Sequence, residues 1–382
     1  MRHRPALIFA AICVIAVGAL AGYLYHAAKR SAPTAPPTAE NVTPEPAPTP
    51  TSTPPATTVD PLIHASPATV SAASQPPTPK PEALPQRVFF RHNGVGSHYG
   101  SLAYVDLSNT KKMHFVDTLQ CEAVHVSGGH GICLSADRGV FTTYAASLFD
   151  AATFKVNATF PLKGIPSRSR VSADGTLAAL TVFVTGHGYS TLDFSTQTLL
   201  IDFSSGTILA DLETFMVRRD GAPVESKDFN FWGVTFTPDA KNFYATLSTA
   251  GKHYLIRGDI AARTADVIRE NVECPSLSPD ARHVAYKKRF IIDNRIVWQL
   301  HVLNVENGAE TALSEKRSID DQLEWLGDRT VLYSVPSDDG SGASTDVWSA
   351  PIDASAPPRL FLRNAYSPAT ARNLPAAAAP GT

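Results

Sequence analysis

The stretch "LSPDARHVAYKKR", Leu277 to Arg289, decides the fold of this chain. An apolar run ends in Ser-x-Asp. A tight turn follows, and then a strand in which small, apolar and charged residues alternate. The aspartate suits a turn because its carboxylate accepts hydrogen bonds from nearby backbone N–H groups. The same form recurs in "VSADGTLAALTVF", Val171 to Phe183, and in "FTPDAKNFYATLS", Phe236 to Ser248. Weaker copies are "LSADRGVFTTY", Leu134 to Tyr144, and "EWLGDRTVLYSV", Glu324 to Val335.

The five turn aspartates, Asp137, Asp174, Asp239, Asp280 and Asp328, are spaced 37, 65, 41 and 48 residues apart. A period of about forty residues is the length of one four-stranded propeller blade. The interval of 65 predicts an insertion, placed within Glu213 to Asn230. Third strands are read in "STQTLLIDFSSG", Ser195 to Gly206, and "WQLHVLNVENG", Trp298 to Gly308. From Arg87 onward β-branched and aromatic runs alternate with Asp, Gly, Asn and Pro turns, without sustained helical periodicity, so the fold class is all-β.

Five full repeats fit between Leu119 and Leu362. Arg87 to Thr118 supplies only three strand-like runs, and "AYSPATAR", Ala365 to Arg372, resembles the missing first strand. A six-bladed ring over residues 87–372, closed by the C-terminal strand, is therefore expected, with a tail at 373–382. Closure removes an edge that would otherwise pair with other chains.

The turn motifs, above all "LSPDARHVAYKK", resemble the repeats of TolB-like propellers over about 280 residues, Arg87 to Arg372. That resemblance is specific for fold and weak for function. TolB itself is a soluble periplasmic protein with an α/β domain before its propeller. Here an apolar run and a proline-rich spacer stand in that place, so the resemblance points to membrane-anchored TolB-like proteins instead.

Ala6 to Tyr25 is an uncharged run of twenty residues, long enough to span a bilayer as a helix. Residues 1–30 are read as an anchor, with Ala19-Leu20-Ala21 offering the alternative of signal cleavage near Ala21. Residues 31–86 hold 16 of the 30 prolines and are expected to be a disordered linker. Fully extended, it reaches about 170 Å at ~3.1 Å per residue. The propeller is thus expected outside the cytoplasm.

A formal net charge of −2 gives no electrostatic reason to expect nucleic acid. Cys121 and Cys133 lie twelve residues apart around "SGGHG" and form the candidate disulfide; two buried free thiols are the alternative. No Cys/His spacing suits zinc, and no nucleophile elbow, Walker loop or dinucleotide fingerprint occurs. No cofactor or metal is expected. His125 and His130 lack a third ligand and read as strand and turn residues.

"KDFNFWGVTF", Lys227 to Phe236, places Phe229, Phe231 and Trp232 beside the insertion. With His187 and Tyr189 of "GHGYS" they form a candidate recognition surface; packing beneath the insertion is the alternative. The reading is a non-catalytic, membrane-tethered binding or scaffold propeller with a protein or cell-envelope partner. The alternative is a propeller enzyme acting on a small molecule or glycan at the channel mouth. A channel of small apolar residues favours the first; convergent carboxylates at one mouth favour the second.

Overall fold

The turns foreseen in the sequence set the blades apart. In the computed structural model, which describes residues 86–184, 195–338 and 344–371, the Asp280 carboxylate accepts from Arg282 N at 3.0 Å, and Ser278 Oγ accepts from His283 N at 2.9 Å. Asp174 and Asp239 repeat the pattern on Thr176 N at 3.0 Å and Lys241 N at 3.2 Å. Each turn passes through positive φ, at Gly175 (76°), Ala240 (52°) and Ala281 (57°). The side-chain bonds hold the two alanines there against the usual penalty on a Cβ.

Six sheets result, antiparallel throughout except for one parallel pairing at the outer side of blade 4. From the inner strand outward, blade 2 is built from Ala123–Ser127, His130–Arg138, Thr142–Asp150 and Val156–Leu162. Blade 3 follows with Ile165–Val171, Leu177–Val184, Ser195–Asp202 and Thr207–Asp211. The inner strands of blades 4, 5 and 6 are Asn230–Phe236, Glu273–Leu277 and Glu324–Trp325. Inner strands of successive blades lie against one another around a central channel. Apolar side chains fill the seams between blades, for example Leu134, Leu148, Leu180 and Ile201 between blades 2 and 3.

Blade 1 is shared by the two ends of the described chain. Ala365–Ala371 is its inner strand, and it pairs antiparallel with Arg87–His92, with Arg87 opposite Ala371 and His92 opposite Ala365. Ser101–Asp106 and Asn109–Gln120 complete the sheet. Ser367, at φ 55°, sits where this register shifts, and its hydroxyl donates to Val124 O of blade 2 at 2.9 Å. The closing strand is therefore bonded on both sides.

One repeat was out of phase. Asp137 is not a turn residue between first and second strands; it lies inside His130–Arg138 and pairs with Thr143. The corresponding turn of blade 2 is Gly128-Gly129. A Cβ on Gly128 would stand 2.2 Å from Gly175 N, so the turns of blades 2 and 3 approach too closely for a Ser-x-Asp turn. The insertion, by contrast, lies where the spacing placed it. Met216–Arg219 runs parallel to the outer strand Thr264–Glu270 of blade 4, and Ala222–Pro223 extends that sheet to six strands.

Cys121 and Cys133 are joined as a disulfide, with Cα atoms 5.3 Å apart, while Cys274 is free and buried. The bridge ties the connection out of blade 1 to the second strand of blade 2. In the loop-entropy model a short loop of this kind contributes on the order of 2–3 kcal/mol. Among the described residues no helix is long and apolar enough to cross a membrane. The anchor, most of the linker, His187, Tyr189 and the tail lie outside the described residues.

Removing Ala365 to Thr382 deletes the inner strand of blade 1 and opens an edge on Arg87–His92. Thermal unfolding should shift strongly downward and light scattering should rise. Removing only Asn373 to Thr382 should leave the melting curve unchanged. Equal melting of both truncations and the intact chain would show that closure contributes nothing.

Candidate functional site: the central channel

The inner strands carry charge into the channel. Ile165–Val171 alternates so that Arg168 and Arg170 fall on the same face of the strand. Arg170 is 8% exposed and Glu324, at the start of the inner strand of blade 6, is 6% exposed. Arg170 Nη1 donates to Glu324 Oε2, and Arg170 Nη2 donates to Leu323 O at 3.1 Å and to Ser276 Oγ at 3.3 Å. Glu324 Oε1 accepts from Thr370 N of the closing strand at 3.1 Å. His125 of blade 2 completes the group. Its Nδ1 accepts from Val171 N at 3.0 Å, and its Nε2 lies 2.9 Å from Arg170 Nη1 and 3.4 Å from Glu324 Oε2. Residues from blades 1, 2, 3, 5 and 6 thus meet in one buried network.

This network divides the channel. On the side of the Ser-x-Asp turns a cavity of about 230 Å³ opens, with Arg170, His125 and Glu324 at its floor and Ala173, Phe236, Pro238 and Pro279 toward its rim. On the other side lies a void of about 20 Å³, bordered by Arg168, Asp321, Gln322 and Tyr366. Such a void is about one water in size.

Beyond the void stands a second charged group. Arg168 Nη1 donates to Tyr366 Oη at 3.3 Å, and its Nη2 lies 3.8 Å from Asp320. Lys287 Nζ donates to Asp320, lies 3.8 Å from Glu273, and stands over the Trp298 ring at 4.7 Å. Burial alone would raise the Asp320 carboxyl, but Lys287 and Arg168 outweigh it and hold it below the ordinary range. Asp321 differs. Its oxygens accept from Gln322 N and Ser334 N at 2.9 and 2.8 Å, yet burial dominates and raises its carboxyl above the ordinary value.

The channel is neither apolar throughout nor an open cluster of carboxylates. Glu324, Asp320 and Glu273 each face a cation. Among the described residues no group of three or more His, Cys, Asp or Glu side chains is arranged to hold a metal.

The aromatic surface read from the sequence needs correction. Phe231 is fully buried and Trp232 is 9% exposed. Both lie in the inner strand of blade 4, where Phe231 packs with Phe215 and Phe243 in the core, and Trp232 meets His253 edge-on. Their place in an inner strand, packed from both faces, removes them from any surface. Phe229, just before that strand, is half-buried and borders a separate rim cavity. Arg168, Arg170 and Glu324 escaped sequence reading. The one available signal was "SRSRV", two arginines at alternate positions in a segment otherwise phased as an inner strand.

Cutting the network on one side leaves a buried charge unpaired. Arg170→Ala should lower stability by about 3–5 kcal/mol in urea unfolding. The double variant Arg170→Met with Glu324→Gln should recover a substantial part of that loss. A single variant as stable as the native chain would mean that the pair is not desolvated.

No family model matches the chain, and no curated protein matches it. Its fold is similar to that of TolB from Acinetobacter baumannii, at 15% identity and a TM-score of 0.53, over 75% of this chain and 67% of that one. A putative TolB from Agrobacterium tumefaciens aligns at 12% identity and a TM-score of 0.44, over 73% of this chain and 88% of that one. A chain of a nidogen/laminin complex aligns at 11% identity and a TM-score of 0.49, over 75% and 98%. The described part of this chain is thus a six-bladed β-propeller with the TolB-like fold.

Proposed function

We propose that this chain is a non-catalytic binding propeller, held outside the cytoplasm on a proline-rich tether, which receives a segment of a partner protein at the channel mouth. The observation that carries this reading is the cavity of about 230 Å³ on the side of the Ser-x-Asp turns. Its floor is polar but already committed. Both terminal nitrogens of Arg170 and both oxygens of Glu324 are bonded within the fold. A committed floor cannot readily exchange protons with a substrate, whereas it can fix the depth to which a bound segment enters. The rim offers apolar contact at the exposed Pro238 and Pro279. A TolB-like propeller fold is compatible with such a role, and the uncharged run Ala6 to Tyr25 supports the membrane tether.

A photo-crosslinking residue in place of Ala173, an exposed position that lines the mouth, tests the reading in the full-length chain. Illumination of intact cells should give a discrete protein adduct from this position. None should form from Val140, a 96% exposed residue on the hairpin Arg138–Thr142 between the second and third strands of blade 2. Equal adducts at both positions, or none at either, would sink the mouth as the docking site. A reporter fused after Gly381 should be active only outside the cytoplasm; activity confined to the cytoplasm would refute the tether.

A further inference from the structure

A cavity of about 350 Å³ lies away from the channel, at the seam of blades 3 and 4. Its walls come from three places. Thr196 and Gln197 open the third strand of blade 3, Asp211 ends its outer strand and Glu213 follows, and Lys227 and Phe229 lead into blade 4. The register explains their meeting. Leu199 pairs with Asp211, so the start of one strand lies beside the end of the next.

The polar groups are fixed by backbone rather than free to collapse. Glu213 Oε2 accepts from Thr198 N at 2.9 Å, and Asp211 Oδ1 accepts from Glu213 N at 3.1 Å. Gln197 Nε2 donates to Asp211 Oδ2 at 2.8 Å, which holds the amide plane beside the carboxylate. Asn230 Oδ1 accepts from Thr196 N at 2.7 Å and joins the blade 4 strand to this wall. Phe229 packs edge-on against the buried Phe231, with ring centroids 6.2 Å apart, and is itself only half-buried.

We infer that this cavity binds an uncharged, polyhydroxylated ligand of one or two sugar rings. The volume is that of a small-ligand pocket. A sugar ring presents hydroxyls that both donate and accept, and an apolar face of C–H groups. The wall supplies planar carboxylate and amide groups for the first and an aromatic ring for the second. Charge supports a neutral ligand. Burial, and then a hydrogen bond with Asp211, push the Glu213 carboxyl up to about 9, so it is protonated at neutral pH and brings no charge to the wall. The other charged groups of the wall are one carboxylate, Asp211, and one exposed ammonium, Lys227. The site is distinct from the channel mouth and does not rest on the function proposed there.

The test uses the full-length chain in detergent, with maltose and N,N′-diacetylchitobiose as probes and glucuronate and cadaverine as charged controls. Saturation-transfer NMR should report saturable binding of at least one disaccharide and of neither control. Gln197→Ala should weaken it about tenfold, the scale of losing one well-placed hydrogen bond. Phe229→Leu keeps an apolar side chain against Phe231 but removes the ring, and should weaken it similarly at an unchanged melting temperature. If Phe229→Leu unfolds the chain, Gln197→Ala alone decides. No saturation by either sugar, binding untouched by Gln197→Ala, or preference for a charged probe would overturn the inference.

Discussion

Everything in this ring depends on one strand pairing, Ala365–Ala371 against Arg87–His92. A propeller with one sheet unfinished presents a row of unpaired N–H and C=O groups at its innermost edge, where neighbouring blades pack. Pairing the two ends satisfies that row. The loop entropy of bringing together residues about 280 apart is considerable, but it grows only logarithmically with separation. Once closed, the strand also bonds across to blade 2 through Ser367 and to the channel network through Thr370 N. The charged channel is therefore assembled by the same event that closes the ring.

The network explains why so much charge is tolerated at the axis. A buried ion pair repays its desolvation only when geometry is good and further hydrogen bonds are made. Here the guanidinium of Arg170 reaches a carboxylate, a hydroxyl and a carbonyl drawn from two other blades. Each blade supplies part of what another needs. Such interdependence favours one relative placement of the blades over the many that apolar seams alone would allow.

Blade number, the sharing of blade 1 and the site of the insertion were legible because each has a local cause. Ser-x-Asp turns hold their own backbone, and a strand missing at one end must be found at the other. The phase of blade 2 was not legible. Asp137 has the motif, but Gly128 takes the turn for a reason seen only in three dimensions, the close approach of Gly175. Likewise Phe231 and Trp232 read as surface aromatics beside a loop, yet the inner strand of a blade is covered on both faces. Arg170 and Glu324, 154 residues apart, become partners only through the ring, so no local pattern joins them.

Shared ownership of blade 1 also imposes an order in time. Ribosomes add roughly 5–20 residues per second. The strand Arg87–His92 is made early, whereas its inner neighbour ends at Ala371, 279 residues after His92. For roughly 15–55 s at that rate the nascent chain carries an unpaired inner edge. Blades 2 to 6 are contiguous in sequence and can form as they emerge, but blade 1 cannot. Its remaining strands must wait unpaired on that side, or be held by something else, until Ala365–Ala371 has emerged.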